Sequence, residues 1–146
     1  MIPGTDAKTA PPPAIELNHL FQIVQHQEDY EWEYFRENVD IHRLYGDGVS
    51  GPTAALLRYR ETSPIPPHIH EGYEHILVLC GTQEDSDGMI SAGTLRVHPP
   101  GTLHRGVGFA GCIVLAIWRT VADASFWIFF FSTIARRNCG MPPFAV

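Results

Sequence analysis

Two histidines and a glutamate near the middle of the chain have the spacing of a metal site. His68 and His70 are two residues apart, and Glu74 follows four residues after His70. On a β-strand, side chains at positions of the same parity point to one face of the sheet, so these three can converge if the strand continues. Two imidazoles and a carboxylate bind first-row divalent ions such as Fe(II), Mn(II), Ni(II) and Zn(II).

A third histidine could complete the site from a neighbouring strand. His104 lies thirty residues beyond Glu74 and follows the turn sequence Pro99-Pro100-Gly101. Four protein ligands leave two adjacent positions of a six-coordinate ion open for water, a chelating small molecule or dioxygen. An isolated HxH pair is more often ordinary core or surface histidine, and the further residues at fixed spacing favour the metal site.

The segments that must position these residues have the pattern of short strands. Apolar or alternating runs occupy approximately 39–45, 53–60, 67–80, 89–98, 104–109 and 111–118, with Gly-, Pro- and Asp-rich breaks between them. Runs of this length and spacing predict an all-β sandwich or barrel. The sequence shows no internal repeat at the periods of solenoid proteins.

The two ends of the chain differ from this pattern. Residues 1–30 predict an extended, Pro- and Ala-rich arm followed by a short helix or irregular lead-in, and residues 31–120 predict the barrel. Residues 121–146 form a tail whose stretch 124–135 is uncharged and rich in aromatic residues. This stretch is well short of the about 20 residues that span a bilayer. We expect it to pack on the barrel or a dimer partner, with a membrane-surface anchor as the alternative.

Composition and charge argue against several classes of protein. A chain of 146 residues fits one domain. Ten Lys and Arg against sixteen Asp and Glu give a net charge of -6, the wrong sign for binding nucleic acid. Three cysteines without a CxxC pair argue against a disulfide scaffold. With no secretory signal pattern at the N-terminus, we expect a cytoplasmic protein without a membrane span.

The metal-site residues resemble the first motif of the cupins, a family of small β-barrels. That motif is G(X)5HXH(X)3,4E(X)6G. The chain matches it at His68, His70, Glu74 and Gly81. Thr62 stands in place of the leading glycine, a difference that affects a loop position and none of the ligands.

The second cupin motif, G(X)5PXG(X)2H(X)3N, is matched in the same way. The matching residues are Gly93, Pro99, Gly101 and His104. Gly108 stands in place of the final asparagine. Two motifs that agree at so many fixed positions are a specific signal for the family.

Within the cupins, residues 32–118 are most similar to the ChrR-type cupin domain. The resemblance is carried by Arg58-Tyr59 before the first motif, by residues 74–79 before Gly81, and by the strand at 111–115. It implies an all-β cupin fold, a double-stranded β-helix or jelly-roll barrel, and a homodimer. It also implies one divalent metal ion per chain, Fe(II) or Zn(II), with Mn or Ni as alternatives. The ligands that it implies are His68, His70, Glu74 and His104.

The resemblance implies two kinds of function, both with a small-molecule substrate or ligand. Similar single-domain cupins include mononuclear iron dioxygenases that cleave a C–C bond in small diketones or hydroxyketones. Some of these bind iron through three histidines alone, which would leave Glu74 beside the metal without ligating it. ChrR-type anti-sigma factors instead join a sensing cupin to a helical zinc domain with Cys-x-x-Cys ligands, and the first forty residues here contain no cysteine. A non-catalytic ligand-binding or sensor cupin without that domain is therefore the alternative.

Residues near the ligands carry weaker expectations. Arg58 shares parity with Leu56 and could contact an anionic substrate oxygen, or it could form an ordinary salt bridge. His98 could support the ligands, although a role in stabilising the neighbouring turn is the main expectation. The acidic residues at 84–87 predict a solvated hairpin tip.

The strand that follows Glu74 is apolar on both faces. Even-numbered Ile76 and Val78 are expected to line the apolar end of the pocket. Leu77 and Leu79 are expected to pack outward, under the tail or a second subunit. Cys80 has the parity of the metal ligands and is expected to act as a small buried apolar side chain.

Overall fold

The structure, a computed structural model, describes residues 11–120, and the apolar tail predicted at 121–146 lies outside the described residues. The lead-in contains a 3₁₀ turn at Leu20–Gln22, a single α-helical turn, α1, at Ile23–His26, and a second 3₁₀ turn at Gln27–Asp29. No helix in this part of the chain is long and apolar enough to cross a membrane. Ten strands follow: β1 (Glu33–Arg36), β2 (Val39–Tyr45), β3 (Gly51–Tyr59), β4 (Ser63–Ile69), β5 (Glu74–Cys80), β6 (Thr82–Asp85), β7 (Gly88–Ser91), β8 (Leu95–His98), β9 (Leu103–Gly108) and β10 (Ile113–Thr120).

The strands form two sheets, which confirms the predicted all-β class. The larger sheet has the order β1-β2-β3-β10-β5-β8, and the smaller has the order β4-β9-β6-β7. All strand pairs are antiparallel. Because β5 belongs to the larger sheet and β4 and β9 to the smaller, side chains from both sheets can meet in the interior.

The interior between the sheets is apolar. Val78 on β5 and Val114 on β10 pack in one buried cluster with Ile65 on β4 and Ile90 on β7. Ile76 belongs to the same cluster. The prediction that Ile76 and Val78 point into the barrel is therefore confirmed.

The outer face of the larger sheet is covered by the lead-in. Ile23 of α1 is 1% exposed and packs with Leu56, Leu79 and Ile113. Leu77 packs against the same cluster, so the outward direction predicted for Leu77 and Leu79 is confirmed. This cover by α1 was not predicted, and the packing of the tail or a second subunit on the same face stays a prediction, because the tail lies outside the described residues.

Cys80 lies on this outer face, so the parity expected for it is wrong. Ile113 pairs with Cys80, yet the next residue of β10, Val114, pairs with Val78. The skipped residue, Leu79, marks an irregularity of the β-bulge type, which shifts the alternation of side chains by one position. Cys80 therefore packs on the cluster formed with Ile23 and leaves the face of the metal ligands.

The departure from the second cupin motif at Gly108 has a steric reason. A Cβ atom at Gly108 would lie 2.2 Å from Cε1 of Tyr59. Tyr59 is 2% exposed and belongs to the interior cluster, so its ring has no room to move aside. The tyrosine ring occupies the space that a side chain at position 108 would need.

We predict that Gly108→Ala destabilises the protein by about 1–3 kcal/mol, the usual range for overpacking a core. Urea unfolding followed by tryptophan fluorescence measures this loss. The same substitution in a Tyr59→Ala background should cost clearly less, because the clashing ring is absent. Equal costs in the two backgrounds would contradict the steric explanation.

Candidate metal centre

The fold brings together the four side chains that the two motifs imply as ligands. His68 on β4 is the register partner of His104 on β9. His70 follows β4, and Glu74 is the first residue of β5. One ligand atom from each residue lies within 4.8 Å of those of the other three. The cluster therefore contains ligands from both sheets.

The distances within the cluster are those of atoms around one ion. Glu74 Oε2 lies 2.9 Å from His70 Nε2 and 3.3 Å from His104 Nδ1, and these two nitrogens are 3.4 Å apart. His68 Nε2 is 3.9 Å from Glu74 Oε1. Metal bonds of about 2.0–2.2 Å place neighbouring ligand atoms about 3–3.5 Å apart, so small movements suffice to bind a metal.

The three imidazole rings face the common centre from different directions. The interplanar angles are 80° for His68 with His70, 46° for His68 with His104, and 54° for His70 with His104. Rings inclined in this way can direct three lone pairs to one point, as a facial set of ligands must.

Two of the rings are oriented by hydrogen bonds on their far side. His68 Nδ1 lies 2.8 Å from the Pro66 carbonyl oxygen, which can only accept, so Nδ1 donates and Nε2 is left for the cluster. Thr102 Oγ1 donates to the Pro99 carbonyl oxygen at 2.7 Å and accepts from His70 Nδ1 at 2.9 Å. Such outer hydrogen bonds fix the tautomer of metal-binding histidines. Thr102 was missed by the sequence analysis, since no spacing rule marks it.

Either a proton or a metal ion has to lie between His70 Nε2 and the Glu74 carboxylate. With a proton on Nδ1, neutral His70 presents a lone pair on Nε2 toward the Glu74 carboxylate, and two such acceptors at 2.9 Å repel each other. A proton on Nε2 removes the repulsion in the metal-free chain, and a metal ion between the atoms would do the same. The ligands present thus fit a divalent metal.

The electrostatic surroundings favour the protonation states that bind metals. Burial by itself raises the pKa of Glu74, but hydrogen bonds from His104 and His70 and the positive potential of His68 hold that pKa well below its usual range. Burial lowers the pKa of His68, more than the Pro66 carbonyl and Glu74 raise it. The ionised carboxylate of Glu74 and the neutral imidazole of His68 are the forms that coordinate metal ions.

Asp85 adjoins the cluster, and the predicted solvated hairpin tip is wrong for this residue. Its side chain is 2% exposed and forms an ion pair with Arg96. Asp85 is the last residue of β6 and pairs with Gly106 on β9, so strand alternation turns it inward from the acidic tip. Its Oδ2 atom lies 3.8 Å from His104 Nε2.

His98 also belongs to the surroundings of the cluster. It is 5% exposed, and strand pairing places it opposite Glu74. Its ring stacks on His104 with centroids 4.3 Å apart and on His70 at 4.9 Å. The structure thus places His98 against the ligands. The main expectation had been a role in stabilising the neighbouring turn, and support of the ligands was the alternative.

Arg58 is not brought to the cluster. Its guanidinium forms an ion pair with Asp40 at 2.9 Å and lies 4.4 Å from the centre of the Trp32 ring. Leu56, which shares its parity, packs in the outer cluster with Ile23. Arg58 therefore lies on the outer face of the larger sheet. Of the two roles expected for it, the structure shows the salt bridge and not the substrate contact.

Comparison with known proteins supports a cupin domain. The family model of the ChrR Cupin-like domain matches residues 21–122. No curated protein matches the chain.

Solved structures share the fold. In a complex of Rhodobacter sphaeroides SigE with the anti-sigma ChrR, the match has 24% identity and a TM-score of 0.55, covering 75% of this chain and 70% of that one. An acetylacetone dioxygenase from Acinetobacter johnsonii matches with 14% identity and a TM-score of 0.57, covering 81% and 80%. KdgF from Halomonas sp. matches with 17% identity and a TM-score of 0.51, covering 64% and 91%. These likenesses show the cupin fold.

Removing the carboxylate should show whether it is a ligand. We predict that Glu74→Ala weakens Zn²⁺ binding by more than about 100-fold, because losing an outer hydrogen-bond partner alone costs 10–100-fold. Competition with a chromophoric chelator measures the affinity. Glu84→Gln, at an exposed position of β6, is the matched control and should bind as the wild type does. Unchanged affinity in Glu74→Ala would favour a site of three histidines.

The metal-free protein should lose stability on mild acidification. Because burial lowers the pKa of His68 in the folded state, the unfolded chain takes up a proton near pH 6.5 that the folded chain does not. The free energy of unfolding therefore falls as the pH drops from 7.5 to 5.5, and falls further below about pH 4.5 as Glu74 is protonated in the unfolded chain. Urea unfolding in the presence of a chelator measures the slope. The slope between pH 7.5 and 5.5 should be shallower in His68→Gln, and an unchanged slope would contradict this assignment.

Proposed function

The chain belongs to the ChrR cupin-like domain family, and from that membership we propose that it is a metal-dependent enzyme acting on a small molecule. The proposed reaction is the cleavage of a C–C bond in a small diketone or hydroxyketone by dioxygen. The observation that carries the proposal is the largely buried cluster of three imidazoles around one ionised carboxylate, a donor set that fits a divalent cation and would leave part of its coordination open.

The proposed ligands are His68, His70, Glu74 and His104. A bound divalent transition metal supplies Lewis acidity and two adjacent positions for small-molecule oxygen atoms. Three nitrogens and one oxygen suit Fe(II) and Zn(II), with Mn(II) and Ni(II) as further candidates. The ligand set does not select one of them, because the affinity for divalent ions follows the ion series and not the reaction. Oxygen chemistry requires the redox-active members of this group.

The protein groups around the site define the side from which a small molecule arrives. The side chains of His70 and His104 are each 4% exposed, whereas those of His68 and Glu74 are 18% and 13% exposed. The substrate therefore approaches past His68 and Glu74, while His98 and the hydrogen bond to Thr102 hold the buried rings. The apolar cluster behind them, which includes Ile76 and Val78, keeps water from the deep side.

Ligand sensing without catalysis is the second candidate function. Its support is the identity to the anti-sigma ChrR, 24% over 75% of this chain, against 14% to the acetylacetone dioxygenase. A sensor would use the same four ligands to bind a metal, such as zinc, and a small molecule, with no consumption of dioxygen.

An oxygen electrode distinguishes the two functions. We expect the Fe(II)-loaded protein to consume dioxygen in proportion to added acetylacetone or a related β-diketone or hydroxyketone. His104→Ala should abolish the uptake by lowering the metal content, which mass spectrometry measures on the same sample. Arg58→Gln, on the outer face of the sheet, is the control and should keep the activity.

The other outcomes of this experiment also distinguish between the two functions. Binding of the diketone, seen by calorimetry, without dioxygen uptake would replace the enzyme with the sensor. A protein that holds metal but neither binds nor converts any compound of the panel would overturn the proposed substrate class.

A further inference from the structure

Two buried nitrogen atoms beside the cluster lack hydrogen-bond partners. His98 Nε2 and His104 Nε2 are both inaccessible to solvent and make no hydrogen bond within the described residues. Asp85 Oδ2 lies 3.4 Å from His98 Nε2 and 3.8 Å from His104 Nε2. Buried polar groups without partners are costly, so this grouping calls for an explanation.

A second metal ion bound by Asp85, His98 and His104 would be a competing explanation, since one ligand atom from each lies within 4.8 Å of the other two. That ion would need the Nε2 lone pair of His104. A neutral imidazole has a single lone pair, and His104 already directs Nδ1 toward Glu74 and His70.

We propose that Asp85 is a positioning residue for the metal centre, whose Oδ2 accepts the Nε2–H of His104. A proton on Nε2 leaves the Nδ1 lone pair of His104 free to face the other ligands. At 3.8 Å the pair is longer than a hydrogen bond, and a shift of the His104 ring by about 1 Å toward Asp85 on metal binding closes it. The inference rests on the proposed metal binding by the four ligands.

The other oxygen of Asp85 is already held, which aims Oδ2 at the histidines. Oδ1 pairs with Arg96 and accepts the backbone N–H of Asp87 at 2.8 Å. Arg96 also donates to the Gly88 carbonyl oxygen at 3.0 Å, so the guanidinium is fixed to the turn between β6 and β7. A carboxylate anchored on one side is a rigid acceptor on the other.

His98 also helps to hold the metal-binding rings in place. Its ring stacks on both His70 and His104, with interplanar angles of 26° and 29°. Contacts on the ring faces limit rotation of His104 about χ2, and Asp85 then selects which nitrogen points to the metal. Carboxylates that accept from a metal-bound histidine in this way typically contribute 10–100-fold to metal affinity.

The test is Zn²⁺ binding to the full chain, measured by competition with a chromophoric chelator. We expect wild-type protein to bind one equivalent and Asp85→Asn to bind one equivalent 10–100-fold more weakly. Glu84→Gln is the matched control, since this residue lies in the same hairpin at an exposed position, and its affinity should equal that of the wild type.

A wild-type measurement keeps the test independent of whether the variant folds. In ¹⁵N NMR of the Zn²⁺-loaded protein, we expect His104 to carry its proton on Nε2 and to bind zinc through Nδ1. Zinc bound through Nε2, or unchanged affinity in Asp85→Asn, would overturn the role of Asp85 while leaving the metal centre intact. A second zinc equivalent lost in Asp85→Asn would replace this role with a second site. A wild type that binds no zinc would overturn the proposed function as well.

Discussion

The negative charge of Glu74 is the constraint on which the rest of the site depends. Its carboxylate is 13% exposed and stays ionised among three imidazoles. An ionised group buried this far is tolerated only when it is paired and hydrogen-bonded. The partners come from β4, β9 and the segment after β4, while Glu74 itself begins β5. The carboxylate that pairs with histidines of the other sheet is thus also a ligand group for a cation.

The turn before β9 is part of the site as much as of the fold. Gly101 N–H donates to the His70 carbonyl oxygen at 2.7 Å, and His70 N–H donates to the Thr102 carbonyl oxygen at 3.0 Å. The Thr102 hydroxyl adds the bond to the His70 ring. Backbone and side chain of one ligand are therefore fixed by a single turn, and Gly101 adopts the positive φ of 81° that this turn requires. The fixed Pro-x-Gly spacing before His104 reflects this double attachment.

The sequence was informative where function requires a fixed local spacing. Parity near the end of β4 and the Pro-Gly turn are local properties, so His68, His70 and His104 could be predicted together. Glu74 was placed correctly by the motif spacing, but the continuous strand expected to carry it is wrong, because β4 ends at Ile69 and β5 begins at Glu74 in the other sheet. Errors arose where the answer depends on pairing between strands. The bulge at Leu79 that moves Cys80 outward, and the strand pairing that turns Asp85 inward, depend on partners far along the chain. Arg58 was ambiguous for the same reason, since parity gives two faces and cannot say which one is inside.

The charges around the site bear on the kind of molecule that it would bind under the proposed function. Asp85 is balanced by Arg96, so the negative charge of the cluster comes from Glu74, and histidines that bind a metal do so as neutral imidazoles. A divalent ion in such a set leaves a net charge of about +1 in a poorly solvated place, which favours a singly charged ligand that chelates through two oxygens. The enolate of a β-diketone has that form. Because Arg58 pairs with Asp40 on the outer face, this preference must come from the centre itself, and it holds for an enzyme and a sensor alike.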